Sequence, residues 1–223
     1  MTKLRLPGAG LAAAIIAAAG LLAAPTATAE VAPFPTLALP FAAGQQVYSA
    51  GIHSDDGSTG VKNAIDFSPA DRTVRAPLAG TVHLQHCAGG DWVTIDHDGG
   101  WRTGYYHMEG IKVTDGEHVE AGTVLGSTGN ALPCGGTSTG AHVHFTLWTL
   151  PDAPAARSDA GNWNGVAFGA VSTALATAYG EPIDGKVLGG WRFTAGEQQY
   201  SGTATHVTDN AVTQLPGRFR AKL

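Results

Sequence analysis

Short runs of Val, Ile, Thr and aromatic residues, alternating with polar ones and closed by glycine-rich turns, recur along the chain from Phe41 onward. Apolar–polar alternation of period two predicts half-buried strands. Such runs fall at Gln46–Ser49, Asn63–Phe67, Gly80–His86, Trp92–His97, Arg102–Tyr106, Ile111–Thr114 and His142–Trp148, then at Gly189–Thr194 and Gln199–Thr203. Residues 51–60 read as a loop, and Asp98-Gly99-Gly100 as the turn of a hairpin. The stretch 151–186 breaks the pattern. It opens rich in Pro, Ala and Asp, and Val166–Tyr179 is Ala-rich enough to predict a helix of about three or four turns. The expected fold is mainly β, a single domain of antiparallel strands with a partly helical insertion near 151–186.

The first residues follow a different pattern. Lys3 and Arg5 precede an apolar run from Ala9 to Ala24, and Ala27-Thr28-Ala29 offers a small-x-small cleavage site. This is the layout of a secretory leader over 1–29, removed before Glu30. An uncleaved anchor is the alternative, but the run is short for a spanning helix. Residues 30–40 then form a Pro/Ala-rich lead-in and 41–223 the domain itself. Without Lys3 and Arg5 the balance moves from 13 basic against 18 acidic residues to 11 against 18. That argues against a nucleic-acid binder, which presents a basic face. The expectation is an exported monomer, extracellular or in the cell wall and free of the membrane, with neither a long pro-segment nor a wall-targeting module.

Cys87 and Cys134 are the two cysteines. An even count in an oxidising compartment favours one disulfide. The competing use is a Cys-plus-His zinc site, though neither cysteine has a CxxC neighbour.

His142 and His144 lie two residues apart in a plausible strand, which places both on one face. His53 and Asp66 each follow a glycine-rich or turn-like loop upstream. Two histidines and one aspartate would give zinc three N/O ligands and leave a fourth position for water. Each residue also has an ordinary use. A His-x-His pair can line a polar strand face, His53 can sit in a surface loop, Asp66 can cap a turn, and His107 can be a hydrogen-bonded strand residue. Asp55, Asp56 and Ser58 suggest calcium, but the spacing lacks the terminal glutamate of an EF-hand loop. His83, His86, His97, His118 and His206 match no ligand position.

Four segments in order read HSDDGSTGVKNAID at 53–66, GWRTGYYHM at 100–108, CGGTSTGAHVHF at 134–145 and GWRFTAGEQQY at 190–200. Together they resemble the beta-lytic metalloendopeptidases and staphylolysin, secreted relatives of the lysostaphin-type peptidoglycan hydrolases. The resemblance covers roughly residues 39–202 apart from 151–186. It implies a β-sheet-lined groove with one zinc ion per chain at its floor, held by His53, Asp66 and His144. It makes His107 and His142 the catalytic histidines that are not ligands, and Tyr200 a tyrosine that stabilises the transition state. It also implies a Cys87–Cys134 disulfide. The implied activity is hydrolysis of peptide bonds in peptidoglycan stems or cross-bridges, with a preference for bonds next to glycine. In that chemistry His142 takes the proton of the attacking water, while His107 and Tyr200 donate to the oxyanion; the division of roles between the two histidines is left open.

Between Phe145 and Trp191 the chain carries more residues than those relatives, so its substrate range is expected to differ. The alternative function is a non-catalytic peptidoglycan-binding or amidase-activating module of lysostaphin type. Such modules usually lack a zinc ligand, whereas the full set is present here. Val113–Gly126 also resembles the hairpin of biotinyl and lipoyl carriers, but it has no lysine at a modifiable tip.

Overall fold

The computed structural model describes residues 31–55, 60–149 and 179–222. The expected leader, Asp56, Ser58 and all of the expected 166–179 helix except Tyr179 lie outside the described residues. In chain order the strands are β1 (Gln46–His53), β2 (Ala64–Pro69), β3 (Thr73–Arg75), β4 (Gly80–Cys87), β5 (Gly90–His97), β6 (Trp101–Tyr106), β7 (His118–Val119), β8 (Val124–Ser127), β9 (Val143–Thr149), β10 (Val187–Leu188), β11 (Trp191–Ala195), β12 (Gly202–His206), β13 (Val212–Leu215) and β14 (Gly217–Arg220). Eight of them form one antiparallel sheet in the order β14-β1-β2-β9-β6-β5-β4-β7. A four-stranded sheet, β10-β11-β12-β13, and the β3-β8 pair complete the fold. Among the described residues no helix is long and apolar enough to cross a membrane.

Period-two alternation gives the main sheet two unlike faces. Ile65 and Phe67 of β2, Val143, Phe145 and Leu147 of β9, Tyr105 of β6 and Val93 and Ile95 of β5 all enter the main hydrophobic core. The smaller sheet closes over them through Trp191, Phe193 and Ala204, and Phe67 packs edge-on against Phe193 with ring centroids 5.7 Å apart. The intervening residues point the other way: Asp66, His144 and Trp148, Tyr106, Trp92 and Cys87. Gly104 lies opposite Thr146 because a Cβ there would collide with the Trp148 ring and the Thr146 hydroxyl.

The elements differ from the expected ones in several places. The short strands β3, β7, β8, β10, β13 and β14 fall outside every expected run. Ile111–Thr114 is not a strand; Lys112 N–H bonds Leu125 O at 2.9 Å, after which the chain turns, with Glu117 Oε2 accepting Thr114 N–H. β1 runs on to His53 instead of yielding to a loop at residue 51. The strand expected from Gln199 begins only at Gly202, because Tyr200 is held with φ +61 in a loop against β1.

Candidate metal centre

A β-bulge decides which way His53 points. In the β1–β2 ladder Ser49 faces Phe67, but Gly51 faces Asp66, so Ala50 is an extra residue without a partner. Before the bulge the odd-numbered residues of β1 share the core face with Phe67; after it they share the face of Asp66. His53 is thereby turned onto the same side as Asp66, and Ile52 enters the core. On the other side of β2, Asp66 stands directly opposite His144 of β9.

His53, Asp66 and His144 are all buried, and their ligand-type atoms lie within 4.8 Å of one another. His53 Nδ1–H donates to Ser54 O at 3.1 Å, which leaves Nε2 with its lone pair, 3.1 Å from Asp66 Oδ1. His144 lies between two carboxylates: Nε2 is 2.8 Å from Asp55 Oδ1 and Nδ1 is 3.1 Å from Asp66 Oδ1. With the Nε2 proton given to Asp55, three acceptors converge: two imidazole lone pairs and a carboxylate oxygen. Buried acceptors facing one another require a cation between them. The donor set suits zinc, for which two imidazoles and a carboxylate are ordinary ligands.

The charges agree with this. Burial by itself would raise the Asp66 carboxyl, but the two histidines hold it far below the usual carboxylate range. Burial likewise pushes His144 down, yet hydrogen bonds to Asp55 and Asp66 outweigh it and lift the imidazole to about 10. A proton and a metal ion thus compete for the same ring nitrogen.

Three further sequence-predicted residues surround this cluster. His107 directly follows β6, with φ +63, and its ring centroid is 4.5 Å from that of His142. Its Nδ1–H donates to Ala131 O at 2.9 Å. Burial and the neighbouring histidines lower it to about 4, so at neutral pH it presents an unprotonated Nε2. His142 donates Nδ1–H to Gly140 O at 2.8 Å and sets Nε2 3.7 Å from Asp66 Oδ2. Tyr200 stacks on His53, with centroids 4.3 Å apart and planes 27° from parallel. It is 44% exposed, so its ring roofs the cluster while remaining open to solvent. Partial burial and the nearby Asp66 charge raise its pKa, which keeps the hydroxyl a donor.

The loops that carry these groups are anchored. Cys87 and Cys134 form a disulfide that pins the 130–136 loop to the end of β4. Tyr106 reinforces it: its hydroxyl donates to Gly135 O at 2.9 Å and accepts Cys134 N–H at 2.7 Å. On the opposite side Lys62 Nζ donates to the carbonyls of Gly196, Glu197 and Gln198, the loop leading to Tyr200. Gln199 bonds both the backbone and the hydroxyl of Ser54. Tyr200 N–H donates to Ile52 O at 2.8 Å, and a Cβ at Gly51 would collide with the Tyr200 carbonyl. The other histidines pair elsewhere: His83 with Asp96, His86 with Asp91 and His206 with Asp209.

Sequence reasoning missed Asp55 and Lys62. Asp55 is considered there only for calcium. Its adjacency to a candidate ligand is the one available signal. Lys62 reaches a loop more than 130 residues away, and no local pattern announces it.

The sequence profile of peptidase family M23 matches residues 60–156. Protease LasA of Pseudomonas aeruginosa is 39% identical over 121 residues, which cover 49% of this chain and 28% of that protein. Beta-lytic metalloendopeptidase of Lysobacter enzymogenes is 32% identical over 122 residues, 50% of this chain and 67% of that protein. The match therefore spans little more than a quarter of LasA and about two thirds of the beta-lytic enzyme. Among solved structures, the M23 metalloprotease pseudoalterin superposes with a TM-score of 0.64 at 23% identity, over 84% of this chain and 99% of that one, a likeness of fold.

Proposed function

The chain belongs to peptidase family M23; from that premise we propose that it is a hydrolase of metallopeptidase type, an exported zinc endopeptidase cutting stem or cross-bridge peptides of bacterial peptidoglycan. The observation that carries the metal reading is the convergence of His53 Nε2, His144 Nδ1 and Asp66 Oδ1, buried ligand-type atoms within 4.8 Å of one another. These three residues would hold the ion. Bound zinc lowers the pKa of water towards neutrality and polarises the scissile carbonyl.

The remaining steps fall to the chain's own side chains. His142 Nε2, free of its proton and beside Asp66, accepts the proton of the attacking water and returns it to the leaving amine. His107 Nε2 is an acceptor at neutral pH, so it suits a second proton-handling group and donates only once protonated. The Tyr200 hydroxyl is the standing donor for the oxygen on which negative charge develops. Export is supported by the leader pattern over 1–29 and by the disulfide, which suits an oxidising compartment. A preference for glycine beside the cleaved bond, and monomeric action, complete the reading.

The test is to incubate the zinc-loaded protein with purified peptidoglycan and identify the released fragments by mass spectrometry. New amino and carboxyl termini within stem or bridge peptides are the expected result, and they name the bond. Intact peptides beside a filled metal site would overturn the endopeptidase and favour a wall-binding or amidase-activating module.

A further inference from the structure

His53 and His144 sit in the same cluster but are supported differently. His53 gives its second ring proton to a neutral backbone carbonyl, Ser54 O. His144 faces a second carboxylate, Asp55, at 2.8 Å. Asp55 lies two residues beyond β1 and is only 6% exposed. Its backbone N–H is held by Asn63 Oδ1 at 3.2 Å, and the Asn63 carbonyl accepts Leu147 N–H from β9. The carboxylate is thus fixed to the strand that carries His144. A buried carboxylate is costly without a charged or hydrogen-bonded partner, and the His144 imidazole is placed to be that partner.

We propose that Asp55 is a positioning residue for His144, its carboxylate fixing the Nε2–H tautomer and supplying the second negative charge that a buried dication needs. The inference rests on the metal reading given above. The first part is geometric. An imidazole whose Nε2 proton is given to Asp55 has its lone pair at Nδ1, on the side of Asp66 Oδ1. Carboxylate partners of ligand histidines orient the ring and raise its basicity. The second part is charge balance. Asp66 alone would leave a divalent ion with one uncompensated charge in a buried site. Asp66 and Asp55 together neutralise it.

Zinc dissociation constants by chelator competition, on Asp55→Asn and Asp55→Ala, test both parts. Changes to such partners typically weaken metal binding about 10–100-fold. Asp55→Ala is expected in that range. Asp55→Asn, which keeps an acceptor but not the charge, is expected to be weakened by up to about tenfold. The visible spectrum of the cobalt-substituted protein should shift in both variants, a signature of a changed ligand field that lost stability alone would not produce. Affinities and spectra within twofold of the parent in both variants would overturn the proposal. If Asp55→Ala does not fold, Asp55→Asn decides alone by the same criterion. His144→Ala in the same titration separates the two readings: parental affinity there would remove the metal centre itself, whereas loss there with intact Asp55 variants removes only the role of Asp55.

Discussion

Asp66 and His144 stand opposite each other on paired strands inside the main sheet, whereas His107, His142 and Tyr200 lie at its margins, each fixed by backbone groups. The floor of the site is built by register: change the pairing of one strand and a candidate ligand leaves the cluster. The rim is built by clasps, in which carbonyls choose the tautomers of His107 and His142, and a disulfide and a lysine hold the loops. The contrast makes two functions separable. Damage to the floor should remove metal and activity together, while damage to the rim should spare metal and lower turnover.

His53→Ala is the severest way to break this division. It removes one of the three buried acceptors that the bulge brings to one side of the sheet. Zinc affinity should fall by more than the ~10–100-fold typical of changing an outer partner, and peptide hydrolysis should vanish. Metal analysis of the purified variant, with far-ultraviolet dichroism to confirm the sheet, checks this; a folded variant with full zinc content would refute the place of His53 in the metal site.

His142→Ala tests the rim at its chemical centre. Zinc content should stay at the parental level while kcat falls by about 10²–10⁴, the usual contribution of a general acid–base group. Full activity would show that His142 is not the proton carrier.

These two variants also mark where the sequence can be read and where it cannot. The β character and most strand positions follow from local alternation, and the spacing of His142 and His144 puts them on one strand face or at its edge. The direction of His53 does not follow. Strict alternation from Val47 would place it on the core side, and the bulge that reverses this has no sequence marker beyond Ala50-Gly51. The family resemblance, not periodicity, joins His53 and Asp66 to His144. The supports of the site are long-range: Asp55 reaches His144 across 89 positions and Lys62 reaches Gly196 across 134. Such contacts come from the folded topology, and one sequence carries no trace of them. The expected helix at 166–179 lies, but for Tyr179, outside the described residues.

The disulfide sharpens the contrast from the stability side. Replacing Cys87 and Cys134 together by serine opens a closed loop of 47 residues, which the chain-entropy model values at roughly 4 kcal/mol. The cost should appear as a lower denaturant midpoint. Trp92, Tyr106 and Trp148 pack against the same bridge, so the 130–136 loop loses one anchor and keeps another. Because Ala131 O positions His107, turnover should fall by up to ~100-fold from the misplacement, with zinc affinity unchanged. Equal losses of zinc and turnover would show that floor and rim are not independent.

Lys62→Met carries the smallest expected effect and is the most specific. The ammonium gives its protons to three consecutive carbonyls, so one side chain holds the loop that sets Tyr200 over His53. Methionine keeps most of the length and apolar bulk of lysine but none of its donors. The loop keeps Gln199 on Ser54 and the Tyr200 amide on Ile52, so it should loosen without detaching. Loss of an oxyanion donor outright costs about 10²–10³ in kcat; a loosened Tyr200 should cost about tenfold, with zinc content unaltered. Lys62→Met and Tyr200→Phe should then be non-additive, since once the hydroxyl is gone its placement no longer matters. A double variant whose loss is the full product of the single losses would show that Lys62 acts on something other than Tyr200.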